Sequence, residues 1–258
     1  MQAKIIAGGS GGNVIAVRSN DTVVLVECGL PKTKIESLLI QNGFNPTLIQ
    51  AIFITHPHED HCRGITLANK YRIPVYASEG TWKNEKYMHT VNEDLRFIIS
   101  PASLVMNDEA VVNIENDFMI GAFRTHHNDF DPLGFVITDD TGRQLSICLD
   151  TGIVDDDMIE AMSGSDIYII EANHDLDLLI NGDYHDHLKA RICSDLGHLS
   201  NAQTAEALSK LIIGKGERIV LTHLSRSNNT PELAEKAVED ALEAKGFERL
   251  FDYYLEVV

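Results

Sequence analysis

The chain has 258 residues, 44% of them hydrophobic and 23% charged, with 18 Gly and 7 Pro. This length allows one large domain or two modest ones with a sizeable core, and the near-average globular composition excludes collagen-like, disordered and disulfide-miniature classes. Lys+Arg 21 against Asp+Glu 39 leaves a net charge of −18, so a polyanionic partner would have to be held by local contacts against an unfavourable overall field. No apolar run reaches the roughly 18–20 residues of a membrane-spanning helix and the start lacks a signal-peptide pattern, so the expected location is cytoplasmic. Cys28, Cys62, Cys148 and Cys193 form no C-x-x-C pair and read as reduced core thiols.

In chain order, Val- and Ile-rich runs bounded by Gly, Asn and Asp predict strands near 3–7, 13–18, 22–28 and 51–55. Between the last two, Ile35, Leu38 and Leu39 fall at helical spacing between Pro31 and Gly43, giving a β-α-β unit. A short helix at 62–71, a strand at 74–77 and a helix at 79–90 follow, then strands at 95–100, 110–123, 133–139 and 144–149. Beyond Asp150 the outline recurs: helix 155–162, strand 166–171, helices 185–194 and 201–213, strand 218–222, helix 231–245 and a strand within 248–257. The run Asp155-Asp156-Asp157 reads as first-turn charge complementing a helix dipole. The order fits a single domain over 1–258 made of two half-domains, about 1–140 and 141–258, packed sheet against sheet with helices outside.

The strongest chemical signal is Thr55-His56-Pro57-His58-Glu59-Asp60-His61, directly after the apolar strand Ala51-Ile52-Phe53-Ile54. At this chain's His and Asp frequencies, H-x-H-x-D-H arises by chance in roughly two of a thousand such sequences. Residues two apart on an extended segment face the same way, so His56 and His58 can close on one ion. Asp60 and His61, where the chain turns into a helix, can reach a second. Further candidates stand at other strand ends: His127 with its neighbour His126, Asp150 and His223. Imidazole and carboxylate donors without thiolate favour zinc or manganese.

With these residues in place, the sequence resembles the metallo-β-lactamase superfamily of binuclear metal hydrolases. The resemblance implies an α/β chain folded as a four-layer αββα sandwich with its ligands along one rim. Carried over, His56, His58 and His127 would hold one metal, Asp60, His61 and His223 the other, and Asp150 would bridge them, with His126 the rival to His127. Ser10-Gly11-Gly12-Asn13, Glu79-Gly80-Thr81-Trp82, Glu171-Ala172-Asn173-His174-Asp175, Leu188-Lys189, Gly197-His198-Leu199-Ser200-Asn201 and Asn228-Asn229-Thr230-Pro231-Glu232-Leu233-Ala234 are similar to the YycJ/WalJ-like branch. That branch implies a DNA exonuclease, 5′ to 3′. One departure stands out: Val26-Glu27-Cys28-Gly29 places Glu27 where the superfamily usually has an aspartate that fixes the histidine-rich loop.

Two divalent cations a few Å apart can hold a bridging hydroxide as nucleophile and stabilise the attacking and departing oxygens of a phosphodiester. Asp60 is accordingly counted among the catalytic residues. Glu171 and His198 resemble a proton-donating pair of the tRNA 3′-end processing branch, with Glu171 orienting His198 as general acid for the leaving alkoxide. Arg63, Lys189, Arg191 and Arg226 are candidate phosphate contacts, whereas His185 and His187 read as solvated residues at a helix start. The leading expectation is a nuclease acting on DNA ends. The alternatives are a thioesterase or lactonase of the glyoxalase II type and a non-enzymatic module stapled by metal.

Overall fold

Strand alternation and continuous Val/Ile runs set the first architecture in the computed structural model, which describes residues 1–9, 11–84, 86–101, 111–127 and 130–258. Ser10, Glu85, Ala110 and Asn128, which fall within the expectations above, lie outside the described residues. The chain divides into two compact units, Met1–Arg124 with Asp129–Arg143, and Thr125–Asn128 with Gln144–Val258.

In the first unit, β1 (Gln2–Ala7), β2 (Val14–Ser19), β3 (Thr22–Val26), β4 (Ile49–Phe53), β5 (Val75–Ala77) and β6 (Arg96–Ile98) form a six-stranded sheet in that order. The first three strands are antiparallel and the remaining pairings are parallel. Asn20, in the left-handed region at φ 50°, makes the tight reversal from β2 to β3. Strand β3 is buried throughout, as a parallel-paired strand covered on both faces must be. The crossover from β3 to β4 is α1 (Lys32–Gln41), whose Ile35 and Leu39 join a core with Leu25, Ile52 and Val75.

Two helical expectations break into shorter pieces for local reasons. The segment 62–71 becomes α2 (Glu59–Cys62) and α3 (Leu67–Tyr71). Between them Gly64 donates to the Cys28 carbonyl, so close to the neighbouring chain that a Cβ would stand 2.1 Å from the Leu30 oxygen. The segment 79–90 supports a single turn, α4 (Glu79–Trp82), after which the Asn84 side chain accepts from the backbone of Lys86 and Tyr87 and turns the chain. The expected strand over 110–123 is a hairpin of β7 (Val111–Ile114) and β8 (Phe118–Arg124), reversed at Glu115 with φ 54°. Strand β9 (Leu133–Asp139) pairs antiparallel with β8. This group is tied to the six-stranded sheet by the Met1 ammonium on Asp139 at 2.8 Å, by Asn20 on Asp117 at 2.7 Å, and by the Phe53 ring edge-on to Phe135 at 5.5 Å.

The second unit holds β10 (Gln144–Cys148), β11 (Ile167–Glu171), β12 (Glu217–Thr222) and β13 (Tyr253–Val257), all parallel and in chain order. Its helices are α5 (Asp156–Met162), α6 (Leu176–Asn181), α7 (Asp186–Ile192), α8 (Asn201–Leu211) and α9 (Pro231–Ala244). Asp155 caps α5 through the Met158 amide, with Asp156 and Asp157 in the first turn, and α8 opens with a Ser200/Gln203 capping box. Helix α6 gave no periodic signal because Leu176, Leu178 and Ile180 are exposed and only Leu179 among its residues is buried. Because the strands are parallel and in register at Cys148, Ile170 and Leu221, residues just beyond their C-terminal ends share one rim of the sheet. The cysteines are free; Cys28, Cys62 and Cys148 are buried thiols, but Cys193 is exposed and not a core residue. Among the described residues no helix is long and apolar enough to cross a membrane.

Candidate functional site

In the first unit, β4 delivers the chain through buried Ile54 into the histidine-rich segment, and α2 begins immediately after His58. Thr55 Oγ1 lies 2.9 Å from His56 Nδ1, leaving His56 Nε2 to face His58 Nδ1 at 2.9 Å. His61 packs its ring 4.1 Å from that of His56 and sets Nε2 3.5 Å from Asp60 Oδ2. Two donors on one tetrahedral ion with bonds of about 2.0–2.1 Å stand about 3 Å apart, so the His56–His58 spacing suits a shared cation.

The loop is clamped from below by backbone bonds: Asn13 donates to the Asp60 carbonyl and Cys28 to the His61 carbonyl, each at 2.7 Å. Gly29 sits so close that a Cβ would fall 1.7 Å from the Asp60 oxygen. Gly29→Ala is therefore expected to cost about 2 kcal/mol and lower Tm by about 5 °C, read by calorimetry, because neither backbone can yield without moving Asp60.

Glu27 is fully buried at φ 71°, takes the Thr55 amide on Oε1 at 3.1 Å, and holds that oxygen 3.4 Å from His61 Nδ1. The longer side chain thus reaches both the strand end and the histidine. Burial pushes its carboxyl above the ordinary carboxylate range, against the pull of His61. Glu27→Ala is expected to weaken metal binding about 10–100-fold, measured by chelator competition, while Glu27→Gln retains more of it through the Thr55 contact.

In the second unit, Asp150 follows β10, Glu171 ends β11 and His223 follows β12; Asp150 and His223 are both in the left-handed region, at φ 50° and 59°. Glu171 is fully buried, and its Oε1 accepts from the amides of Thr151 at 2.7 Å and Leu199 at 3.3 Å. Its Oε2 faces His198 Nδ1 at 3.1 Å and His223 Nδ1 at 3.2 Å. Asp150 Oδ1 lies 2.8 Å from His223 Nδ1 and 3.6 Å from His198 Nδ1, so one donor atom from each of these four residues falls within 4.8 Å of the others. Burial alone would raise the Glu171 carboxyl, yet His198 and the bonds to both imidazoles draw it down to about 2. Burial likewise opposes charging His198, but Glu171 and then Asp150 prevail and hold its pKa above the usual imidazole value.

The rival histidines part company here. His126 pairs with Asp155 at 2.6 Å, whereas His127 is buried, with Nδ1 2.9 Å from the Gly197 carbonyl and Nε2 3.9 Å from Asp150. Donation to Gly197 fixes the tautomer that leaves Nε2 with its lone pair. His185 and His187 are exposed at the start of α7, outside the cluster. Arg63 pairs with Glu59 at 3.6 Å, Lys189 donates to the Ile180 carbonyl, and Arg226 is exposed. Sequence reading left His174 unassigned; it is buried beside the pair, its Nδ1 has no hydrogen-bond partner among the described residues, and burial pushes it down to about 4, so it is neutral. Supporting residues also escaped it: Thr151, and Asn173, which donates to the His223 carbonyl at 3.1 Å. Backbone amides carry no side-chain signal, so only the rim geometry reveals them.

The fold and the donor set define a class. The family model described as the beta-lactamase superfamily domain matches residues 23–224, and the chain belongs to the metallo-β-lactamase superfamily of metal-dependent hydrolases. Within it, the chain is 35% identical over 245 residues to "Exodeoxyribonuclease YycJ" of Bacillus anthracis, covering 94% of this chain and 89% of that one. It is 36% identical over 242 residues to "Exodeoxyribonuclease WalJ" of Streptococcus pneumoniae, covering 92% and 87%. Among solved structures, the metallo-β-lactamase fold protein YhfI of Bacillus subtilis superposes with a TM-score of 0.69 at 16% identity, covering 99% of this chain and 95% of that one, and so shares its α/β fold.

Proposed function

We propose that this protein is a DNA exonuclease of the cytoplasm, degrading strands from the 5′ end with two divalent ions, zinc or manganese. The observation that carries the reading is the Glu171–His198 contact at 3.1 Å on the same rim as Asp150 and His223, supported by the names of the two relatives. A proton donor beside metal ligands serves a leaving alkoxide, which needs a proton, better than a thiolate, which does not. We assign His56, His58 and His127 to one ion, Asp60, His61 and His223 to the other, and Asp150 to both. The donor set fits: the histidines are neutral-capable imidazoles, that of His127 with its tautomer set by the Gly197 carbonyl, and the carboxylates supply the balancing charge. When bound, the ions supply an activated water and stabilise charge on the phosphodiester oxygens.

The chain's own residues do the rest. Glu171 Oε2 holds the Nδ1 proton of His198, turning Nε2 outward as the atom that gives its proton to the departing oxygen. The amides of Thr151 and Leu199 hold Glu171 ionised in a buried setting. DNA is gripped locally, by cations such as Arg63, Lys189, Arg191 and Arg226, against the net charge of −18.

The test is digestion of single-stranded and duplex oligonucleotides labelled at either end, with manganese or zinc, beside Asp60→Ala. Release of short products from the 5′ label, falling steeply with added salt and absent in Asp60→Ala, is the expected result. Two bound ions with no cleavage of DNA or RNA would overturn it in favour of a thioesterase or lactonase, the reading that the acidic charge favours.

A further inference from the structure

Across the parallel strands β4, β5 and β6, Phe53, Tyr76 and Phe97 are register partners and present their rings on one face of the sheet. Phe53 and Tyr76 stack at 5.0 Å and 13°, and Tyr76 and Phe97 at 5.3 Å and 28°. The ladder starts in the core, since Phe53 is fully buried and lies three residues before His56. It ends in solvent on β6, the edge strand of this sheet among the described residues, where Phe97 is 42% exposed. An exposed phenyl at the end of a near-parallel stack is a surface on which another flat π-system can stack.

The surroundings match a nucleic acid strand. Trp82 Nε1 donates to the Phe97 carbonyl at 2.8 Å and fixes the edge. Beside it, Arg96 sets its guanidinium 5.9 Å from the Trp82 ring and donates to the carbonyls of His89 and Val91. Among the described residues no carboxylate pairs with Arg96, so its charge is available to a phosphate. On the other side of α4, Lys86 reaches Glu59 of the histidine-rich loop at 3.0 Å, tying this corner of the unit to the segment that would hold metal.

We propose that Phe97 is a stacking platform for an unpaired nucleobase of the DNA strand, the terminal ring of a Phe53–Tyr76–Phe97 ladder, with Arg96 meeting an adjacent phosphate. The inference rests on the nuclease reading and deepens it: the platform takes single-stranded ends and tolerates any base, because every base offers a π-face. It gives an acidic protein an apolar means of holding a polyanion.

The experiment is binding of a short, cleavage-resistant phosphorothioate strand carrying 2-aminopurine at successive positions, with manganese present, alongside cleavage of the ordinary strand. The wild type is expected to quench the fluorophore at one position by stacking. Phe97→Ala and Phe97→Leu should bind about tenfold more weakly and lose that quenching, while Phe97→Trp keeps both. Leucine preserves apolar bulk without a π-face, so its failure separates stacking from mere support of Tyr76. If Phe97→Ala matched the wild type in affinity and quenching, the platform would be overturned while cleavage left the nuclease reading standing. If the wild type neither bound nor cut any strand, the nuclease reading would fall, and the platform with it. If Phe97→Ala dissolved a wild-type dimer and left DNA binding unchanged, the β6 edge would belong to a second copy and the platform would be wrong.

Discussion

Asp150→Ala is expected to leave the chain without its full complement of metal and to lower DNA hydrolysis by at least about a thousandfold. The carboxylate stands 2.8 Å from His223, 3.6 Å from His198 and 3.9 Å from His127, so it is the negative charge shared by three imidazoles, two of them buried and that of His198 partly exposed. Its backbone is in the left-handed region directly after β10, at φ 50°. Alanine removes the charge and leaves three imidazoles facing one another, each less able to accept a cation. Asp150→Asn keeps the shape and should retain the fold but recover little activity, which separates loss of charge from loss of structure. Metal content by mass spectrometry and nucleotide release by chromatography give the two readouts. A variant with two ions per chain and a rate within about tenfold of wild type would remove Asp150 from the metal centre.

The parts of this site that showed in the sequence are those where chemistry coincides with periodicity. The string from His56 to His61 stands out because histidines two apart follow an apolar strand that must end there. Asp150, Glu171 and His223 were legible for a related reason: each stands at the end of a largely apolar strand. Helices α8 and α9, expected over 201–213 and 231–245, begin at the capping residues Ser200 and Thr230. What did not show was set by contacts remote in sequence. Gly64 breaks the 62–71 helix because of where Leu30 lies, and Glu115 splits the expected 110–123 strand by adopting a conformation that propensity does not signal. The anchoring of Glu171 by two backbone amides is invisible to any reading of side chains. So is the exposure of Phe97: its apolar neighbours Ile98 and Ile99 suggest an ordinary strand interior, whereas among the described residues the strand lies at the edge of the sheet.

His198→Ala should separate the chemistry of the leaving group from that of the metal. Its Nδ1 is held by Glu171 at 3.1 Å, so the imidazole has one proton fixed and one to give, and Glu171 and Asp150 keep it charged to higher pH than a free histidine despite its burial. A DNA strand leaves as a high-pKa alkoxide and needs that proton in the transition state; a nitrophenyl ester of a nucleotide leaves as a stable phenolate and does not. The expected loss is therefore about 10²–10⁴-fold in kcat on DNA and less than about tenfold on the nitrophenyl ester, with metal content unchanged. Glu171→Gln should fall between, because glutamine still accepts from Thr151 and Leu199 but no longer holds a charge beside His198. It should also loosen metal, since the same oxygen lies 3.2 Å from His223, and that second effect distinguishes it from His198→Ala. Equal losses on both substrates for His198→Ala would make the histidine a support for the metal rim and leave proton transfer to another group, with neutral, buried His174 the next to test.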